Sequence, residues 1–130
     1  LITDIVRAII NQEVFKTSSG NIIRDFITPP DFYSLIQEII DFKSINTALD
    51  CYTKSPVSKF DLLNELKNEF GFEYEAKDGI NIINASGAKL NYYSTNYSAN
   101  RIGYTAKYSS LDGIFNEIKQ ILIPEKNYDF

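Results

Sequence analysis

Arg24-Asp25-Phe26-Ile27 sets a guanidinium beside a carboxylate at the entrance of a short apolar run, just after the turn-forming residues Ser18-Ser19-Gly20-Asn21. A guanidinium so placed can grip a phosphate, because its planar fork donates two parallel hydrogen bonds to one anion. It can equally pair with Asp25 or another surface carboxylate, a contact of about 0–1 kcal/mol. Few other residues carry chemistry. The chain has no histidine, which excludes His-based triads and His-ligated zinc. Its one cysteine, Cys51, lies in the apolar run Ala48-Leu49-Asp50-Cys51-Tyr52 and reads as a core thiol rather than a nucleophile. One cysteine forms no internal disulfide, so a reducing compartment, the cytoplasm, is expected. Asp61, Glu65 and Glu69 recur at helical spacing and read as a solvated helix face rather than an acid–base pair.

The elements that must position these residues follow from length and pattern. At 130 residues the chain is one domain, able to bury roughly two-thirds of its unfolded surface. Its net charge is −4, with basic residues scattered along the chain, whereas nucleic acid calls for clustered Lys and Arg. No apolar run approaches the ~18 residues of a membrane-spanning helix. The start, Leu1-Ile2-Thr3-Asp4, lacks both an initiator Met and the basic segment of a signal peptide, so the expectation is a chain cut from something longer.

Ile2, Ile5, Val6, Ile9 and Ile10 predict a first helix over 2–10. Val14-Phe15 reads as a short strand, Thr17 to Asn21 as a turn, and Ile22 to Thr28 as a strand stopped by Pro29-Pro30. A second helix follows Asp31, its stripe being Phe32, Leu35, Ile36, Ile39 and Ile40. Thr47 to Tyr52 is a strand candidate. Ser58 is placed to cap a third helix bearing Leu62, Leu63, Leu66 and Phe70, with Gly71 as its stop. Residues 72–75 and 80–83 can pair as a hairpin around Lys77-Asp78-Gly79, and Leu90 to Tyr93 is a further strand. Tyr97 to Ile102 predicts a short helix ending at Gly103. Ser109 or Ser110 then caps a last helix carrying Leu111, Ile114, Phe115, Ile118, Ile121 and Leu122. Helices alternate with short strands, so the fold class is α/β, or α+β-like, with one domain over 1–123 and a loose tail over 124–130.

Four stretches together resemble the extended short-chain dehydrogenase/reductase family, the NAD-dependent nucleotide-sugar epimerases and dehydratases. Gly20 with Arg24-Asp25-Phe26-Ile27 and Asp31 resembles the family's "G…RDF-I…D" segment. Ser55-Pro56-Val57-Ser58 with Leu62-Leu63 resembles its "pVS…eL" helix. Asn96 through Tyr104 resembles "D-x-S-K-x-x-x-L-G-W", and Ser109-Ser110-Leu111-Asp112-Gly113-Ile114 resembles "S-L-E-E-G-I". The matches come in order over most of residues 1–122. The chain departs from the pattern at Thr28-Pro29-Pro30, where relatives often have "HV-D", and at Asn96 and Ala99, where they have Asp and Lys.

The resemblance implies the C-terminal, substrate-binding part of such an enzyme. By analogy, Arg24 would hold the diphosphate of a nucleotide sugar, and Val14, Phe15 and Lys16 would lie along the base, with Phe15 stacking on it. Read from the residues alone, Val14 and Phe15 are instead a buried strand pair with Lys16 outside. Asn84 and Lys89 lie where relatives carry a second phosphate-binding arginine. The family's front half is missing. The glycines at 20, 71, 79, 87, 103 and 113 fit neither G-x-x-G-x-x-G nor G-x-G-x-x-G, and no tyrosine has a lysine four residues later. The chain is therefore expected to bind no cofactor and to catalyse nothing alone, with NAD, the catalytic residues and a Rossmann domain belonging to the parent enzyme. The strand expected at Thr47 to Tyr52 would then be an open sheet edge, and a homodimer is conceivable. The reading from another class is a non-catalytic binding or interaction module that kept the fold and lost the site.

Overall fold

The structure is a computed structural model that describes residues 1–79 and 90–123. The first apolar stripe forms α1 (Ile2–Asn11), with Ile5 and Ala8 buried and Asp4 in the first turn, where a negative charge favours the helix dipole. The chain leaves α1 through Gln12 in a left-handed conformation and enters β1 (Phe15–Ser18). After a turn comes β2 (Ile23–Arg24).

Pro29 and Pro30 open α2 (Pro29–Asp41) rather than merely ending a strand. Proline lacks only an N–H that the first helical turn leaves unbonded anyway. Thr28 is the N-cap, its hydroxyl accepting from the Asp31 N–H at 3.1 Å. Next is β3 (Val57–Ser58), then α3 (Lys59–Phe70), capped by Ser58 and closed by Gly71 at φ 69°. β4 (Tyr74–Lys77) and β5 (Asn91–Tyr92) follow. A 3-10 helix spans Ser98–Ile102 and ends at left-handed Gly103. Of the two candidate caps for α4 (Ser110–Leu122), Ser109 is the one used, in a reciprocal capping box with Asp112.

β1 and β4 pair in parallel, Phe15 opposite Tyr74 and Lys16 opposite Glu75. A separate three-stranded sheet has the order β3-β2-β5, antiparallel on one side of β2 and parallel on the other. Ile5, Leu62, Leu63, Leu66, Ile114 and Ile118 centre the larger core cluster, which joins α1, α3 and α4. Leu35, Tyr52, Ala99, Ile102, Tyr104 and Ala106 form a second.

Several expected elements differ. The strand over 22–28 shrinks to two residues because the Phe26 N–H donates to the Ser110 hydroxyl at 2.8 Å and so leaves the ladder. The strand near Val14-Phe15 starts at Phe15 and runs to Ser18, taking in part of the expected turn, and Val14 stays outside it. Residues 72–75 form no described hairpin strand with 80–83. Tyr74–Lys77 pairs with β1 instead, and 80–83 lie outside the described residues, as does the tail 124–130. Thr47 to Tyr52 is no strand. A strand needs a neighbour for its N–H and C=O groups, and no described segment pairs its backbone with this one. Of the α2 stripe, only Leu35 is buried.

Gly113 marks the tightest helix contact. A Cβ there would lie 2.2 Å from Cγ2 of buried Thr28. Alanine gains up to about 1 kcal/mol of helix propensity, but the overlap would push α4 away from the cap of α2, a strain of about 1–3 kcal/mol. Gly113→Ala is therefore expected to lower the denaturation midpoint in urea, and an unchanged or raised midpoint would contradict this packing.

Candidate functional site

Asp25 follows β2, with its carboxylate turned toward two other parts of the chain. It accepts from the Thr53 N–H at 3.0 Å, from the Thr53 hydroxyl, and from the Ser110 hydroxyl at 2.7 Å. Ser110 in turn accepts from the Phe26 N–H, and its own N–H donates to the Ser55 carbonyl at 3.0 Å. Thr53 and Ser110 are buried. Burial strengthens such bonds and makes each unpaired member expensive. The network ties β2, the 53–55 segment and the start of α4 into one unit.

Asp31 does the same one helical turn into α2. Its carboxylate is fully buried and accepts from the Lys107 N–H at 2.7 Å and the Tyr108 N–H at 3.2 Å. The first turn of a helix suits an anion. Neither carboxylate is arranged as an acid or base, since each spends its oxygens on fixed donors. Thr53 and the inward role of Asp31 were not singled out from the sequence, and Ser110 was read there only as a candidate helix cap and part of a family motif. Only the "D-F…S-L" residues of the family resemblance pointed near them.

On this frame Arg24 sits in the central strand of the three-stranded sheet, opposite Val57 on one side and Tyr92 on the other. It is half-buried, and its Nη1 donates to the carbonyls of Ile23 and Leu90 at 3.0 and 3.1 Å. These two backbone carbonyls help to fix the guanidinium in place. A shallow cleft of about 430 Å³ opens between the sheet and the 49–51 segment, lined among others by Asp25, Ile27, Leu49, Cys51, Tyr92 and Ser94; Arg24 adjoins these residues in the sheet but does not line it. Its size lies in the range of ~300–1,000 Å³ typical of small-molecule sites.

The other expected site residues fall elsewhere. Phe15 opens β1, in the other sheet, and packs against the larger core cluster. Val14 precedes it and is 51% exposed, at the edge of a depression shared with Phe70 and Phe72. Lys16 is exposed opposite Glu75. The Glu75 carboxyl is held below the usual range by its hydrogen bond to Lys77 first, with the charges of Lys77 and then Lys16 adding. Asn84 and Lys89 lie outside the described residues.

Of the family departures, Asn96 accepts from the Ser98 N–H at 3.0 Å, a task an aspartate would also perform, and Ala99 is fully buried in the second core cluster. Cys51 sits with its sulfur 3.7 Å from the Tyr104 hydroxyl. Burial pushes its thiol pKa up, opposed in part by that contact and reinforced by the charges of Asp31 and Asp25. Tyr104, whose hydroxyl donates to the Tyr52 carbonyl at 2.6 Å, is raised as well, chiefly by burial. Among the described residues, no cluster of three Cys, Asp or Glu side chains is placed to hold a metal ion, and no helix is long and apolar enough to cross a membrane.

Two measurements check this geometry. Asp25→Ala strands the Thr53 and Ser110 donors and is expected to cost about 3 kcal/mol of stability. A loss below about 0.5 kcal/mol, the size of an ordinary surface substitution, would show that the network is not load-sharing. Cys51, a raised-pKa thiol, is expected to react with iodoacetamide more slowly at pH 8 than a free thiol, and to speed up only above the ordinary thiol range near ~8.5. A faster-than-free rate at neutral pH would contradict the burial.

Comparison with known proteins gives one consistent answer. No family model matches the chain, and no curated protein matches its sequence. Known structures do match its fold. UDP-glucuronic acid 4-epimerase from Bacillus cereus, in complex with UDP-glucuronic acid and NAD, superposes with a TM-score of 0.73 at 16% identity, covering 92% of this chain and 40% of that one. The same enzyme in complex with NAD gives 0.68 at 15% identity, covering 93% and 38%. UDP-N-acetylglucosamine 4-epimerase from Bacillus cereus gives 0.66 at 11% identity, covering 94% and 40%. The chain spans about two-fifths of the length of these neighbours, and over that length its mixed α/β fold is similar to that of these UDP-sugar 4-epimerases.

Proposed function

We propose that these residues are the substrate-holding part of a nucleotide-sugar enzyme, and that Arg24 grips the diphosphate of the nucleotide sugar. The observation that carries the proposal is Arg24 itself. It is a half-buried guanidinium in the middle strand of a sheet, anchored on two carbonyls, whose neighbours Asp25 and Tyr92 line a cleft of ligand size, in a chain whose fold is similar to that of UDP-sugar epimerases. A cation fixed before the ligand arrives needs little reordering on binding, so more of its interaction energy reaches the complex. Tyr92, next to Arg24 in the ladder and 63% exposed, offers a flat apolar face to the base or sugar. Phe15 and Lys16 would contribute from the other sheet and Val14 from just before it, and Asn84 and Lys89 from the residues between β4 and β5 in the sequence.

Holding the nucleotide end fixes where the sugar points, and remote binding of this kind lowers the barrier at the reacting carbon by positioning. The chemistry would reside in a second, cofactor-binding half that acts with this one. NAD finds no fit here, since no glycine-rich turn of the dinucleotide-binding spacing occurs in the sequence. The parent would be an epimerase, dehydratase or reductase acting on nucleotide sugars in sugar-nucleotide or surface-polysaccharide synthesis. The rival reading, an interaction module that kept the fold and lost the site, draws on the departures at Asn84, Asn96 and Ala99. Asn96 and Ala99 are accommodated locally as described above and weigh little against ligand binding, and Asn84 lies outside the described residues.

Isothermal titration of the complete gene product with UDP-glucuronic acid and UDP-N-acetylglucosamine tests the proposal. Loss of one charge-assisted phosphate contact, about 1.5–3 kcal/mol, should raise Kd about 10- to 100-fold in Arg24→Ala. Arg7→Ala, on the exposed outer side of α1, should leave Kd unchanged. Equal affinity of Arg24→Ala and the parent protein would overturn the assignment.

A further inference from the structure

Lys59 stands where a lysine is unfavourable to the fold. It is the first residue of α3, at the helix end whose dipole disfavours a positive charge. It is only 4% exposed, and burial pushes its amine pKa below the ordinary lysine value. Among the described residues no carboxylate forms an ion pair with it. Its Nζ donates instead to the Ser18 carbonyl at 2.5 Å and to the Ser18 hydroxyl at 3.3 Å, and lies 4.7 Å from the centre of the Phe60 ring. Neutral acceptors and a ring face hold the ammonium without cancelling its charge, and a desolvated charge without a counter-charge weighs against stability.

What Lys59 does reach is the turn that leads into β2. Its Nζ holds Ser18 at the start of that turn, and its backbone N–H donates to the Ile22 carbonyl at the end, at 2.8 Å. The next N–H, that of Phe60, donates to the Asn21 side chain at 3.3 Å. The ladder then continues the contact without a gap, Ile23 opposite Ser58 and Arg24 opposite Val57. Within the turn, a Cβ at Gly20 would meet nothing within 4 Å, so packing does not fix its course. Ser19 adds one exposed bond, to the Asp78 carboxylate. The Ile23 carbonyl that leaves this turn is one of the two on which the Arg24 Nη1 rests.

We propose that Lys59 is a positioning residue for Arg24: by holding both ends of the 18–22 turn it sets the Ile23 carbonyl, and with it the guanidinium, where a diphosphate is to be met. The inference rests on the reading of Arg24 as the diphosphate grip, and adds to it the residue that aims the grip from α3. It also accounts for a buried cation at an unfavourable place, since a side chain kept for positioning need not stabilise the fold.

Isothermal titration of the complete gene product with UDP and with uridine tests the inference. The ratio of the two affinities isolates the diphosphate, and urea denaturation of the same variants reports stability. Lys59→Met removes the ammonium and keeps an unbranched stem. It should lower the UDP-to-uridine ratio about three- to thirtyfold without lowering the urea midpoint. Added to Arg24→Ala, the same substitution should change the ratio by less than about twofold, because Lys59 acts only through Arg24. An unchanged ratio in Lys59→Met overturns the positioning role, as does a further fall when it is combined with Arg24→Ala. A lowered midpoint, or a variant that does not fold, makes Lys59 an ordinary stabilising contact and overturns the role as well. If Arg24→Ala itself leaves the ratio unchanged, the preceding reading has failed and this one with it, so the two failures are told apart.

Discussion

The arrangement of the chain depends on one half-buried carboxylate. Asp25 collects donors from Thr53 and Ser110, residues far apart in sequence that belong to a coil segment and to the first turn of α4. The two-residue strands β2, β3 and β5 are too short to hold a sheet by their own ladder. Fixing the end of β2 onto α4 supplies what the ladder lacks. It also sets the position of Arg24, one residue earlier. Sheet, helix cap and guanidinium are therefore one mechanical unit. Asp31 repeats the device for α2, holding the 107–108 backbone against the helix start.

The same interactions explain what was legible in the sequence and what was not. Local signals were reliable wherever a side chain bonded its own neighbourhood. Ser58 capping Asp61, Gly71 in the left-handed stop and Ser109 with Asp112 all behave as their residue types require. Strand limits were not legible, because they are set by partners distant in sequence. β2 ends where Ser110 captures the Phe26 N–H, and no pattern in residues 22–28 announces Ser110. β4 reads as a hairpin arm from Asp78-Gly79, yet it pairs with β1 in parallel, some sixty positions earlier.

The α2 stripe was misread in a more instructive way. Its period is helical and the helix exists, but amphipathic spacing says only that a face seeks cover. It does not say that the cover lies in the same 130 residues. The Thr47 to Tyr52 segment makes the same point for a strand. Its composition is strand-like, and its ladder partner is absent from the described chain. Of the candidate site, Arg24 was found from its type and setting. The residues that aim it, Thr53 and Ser110, were not, because a threonine or serine in a buried network looks in sequence like any other.

The central claim is that a sheet-anchored Arg24 is a ready-made diphosphate site. The most direct measurement is an NMR titration of the 130-residue chain with UDP, following the backbone amides of β2 and β5 and the Arg24 side-chain N–H groups. Saturable shifts centred on Arg24 and Tyr92, matched by uridine only far more weakly, are the predicted result. UDP shifts that are no larger than those from uridine, or that centre away from the β2–β5 ladder, would contradict it.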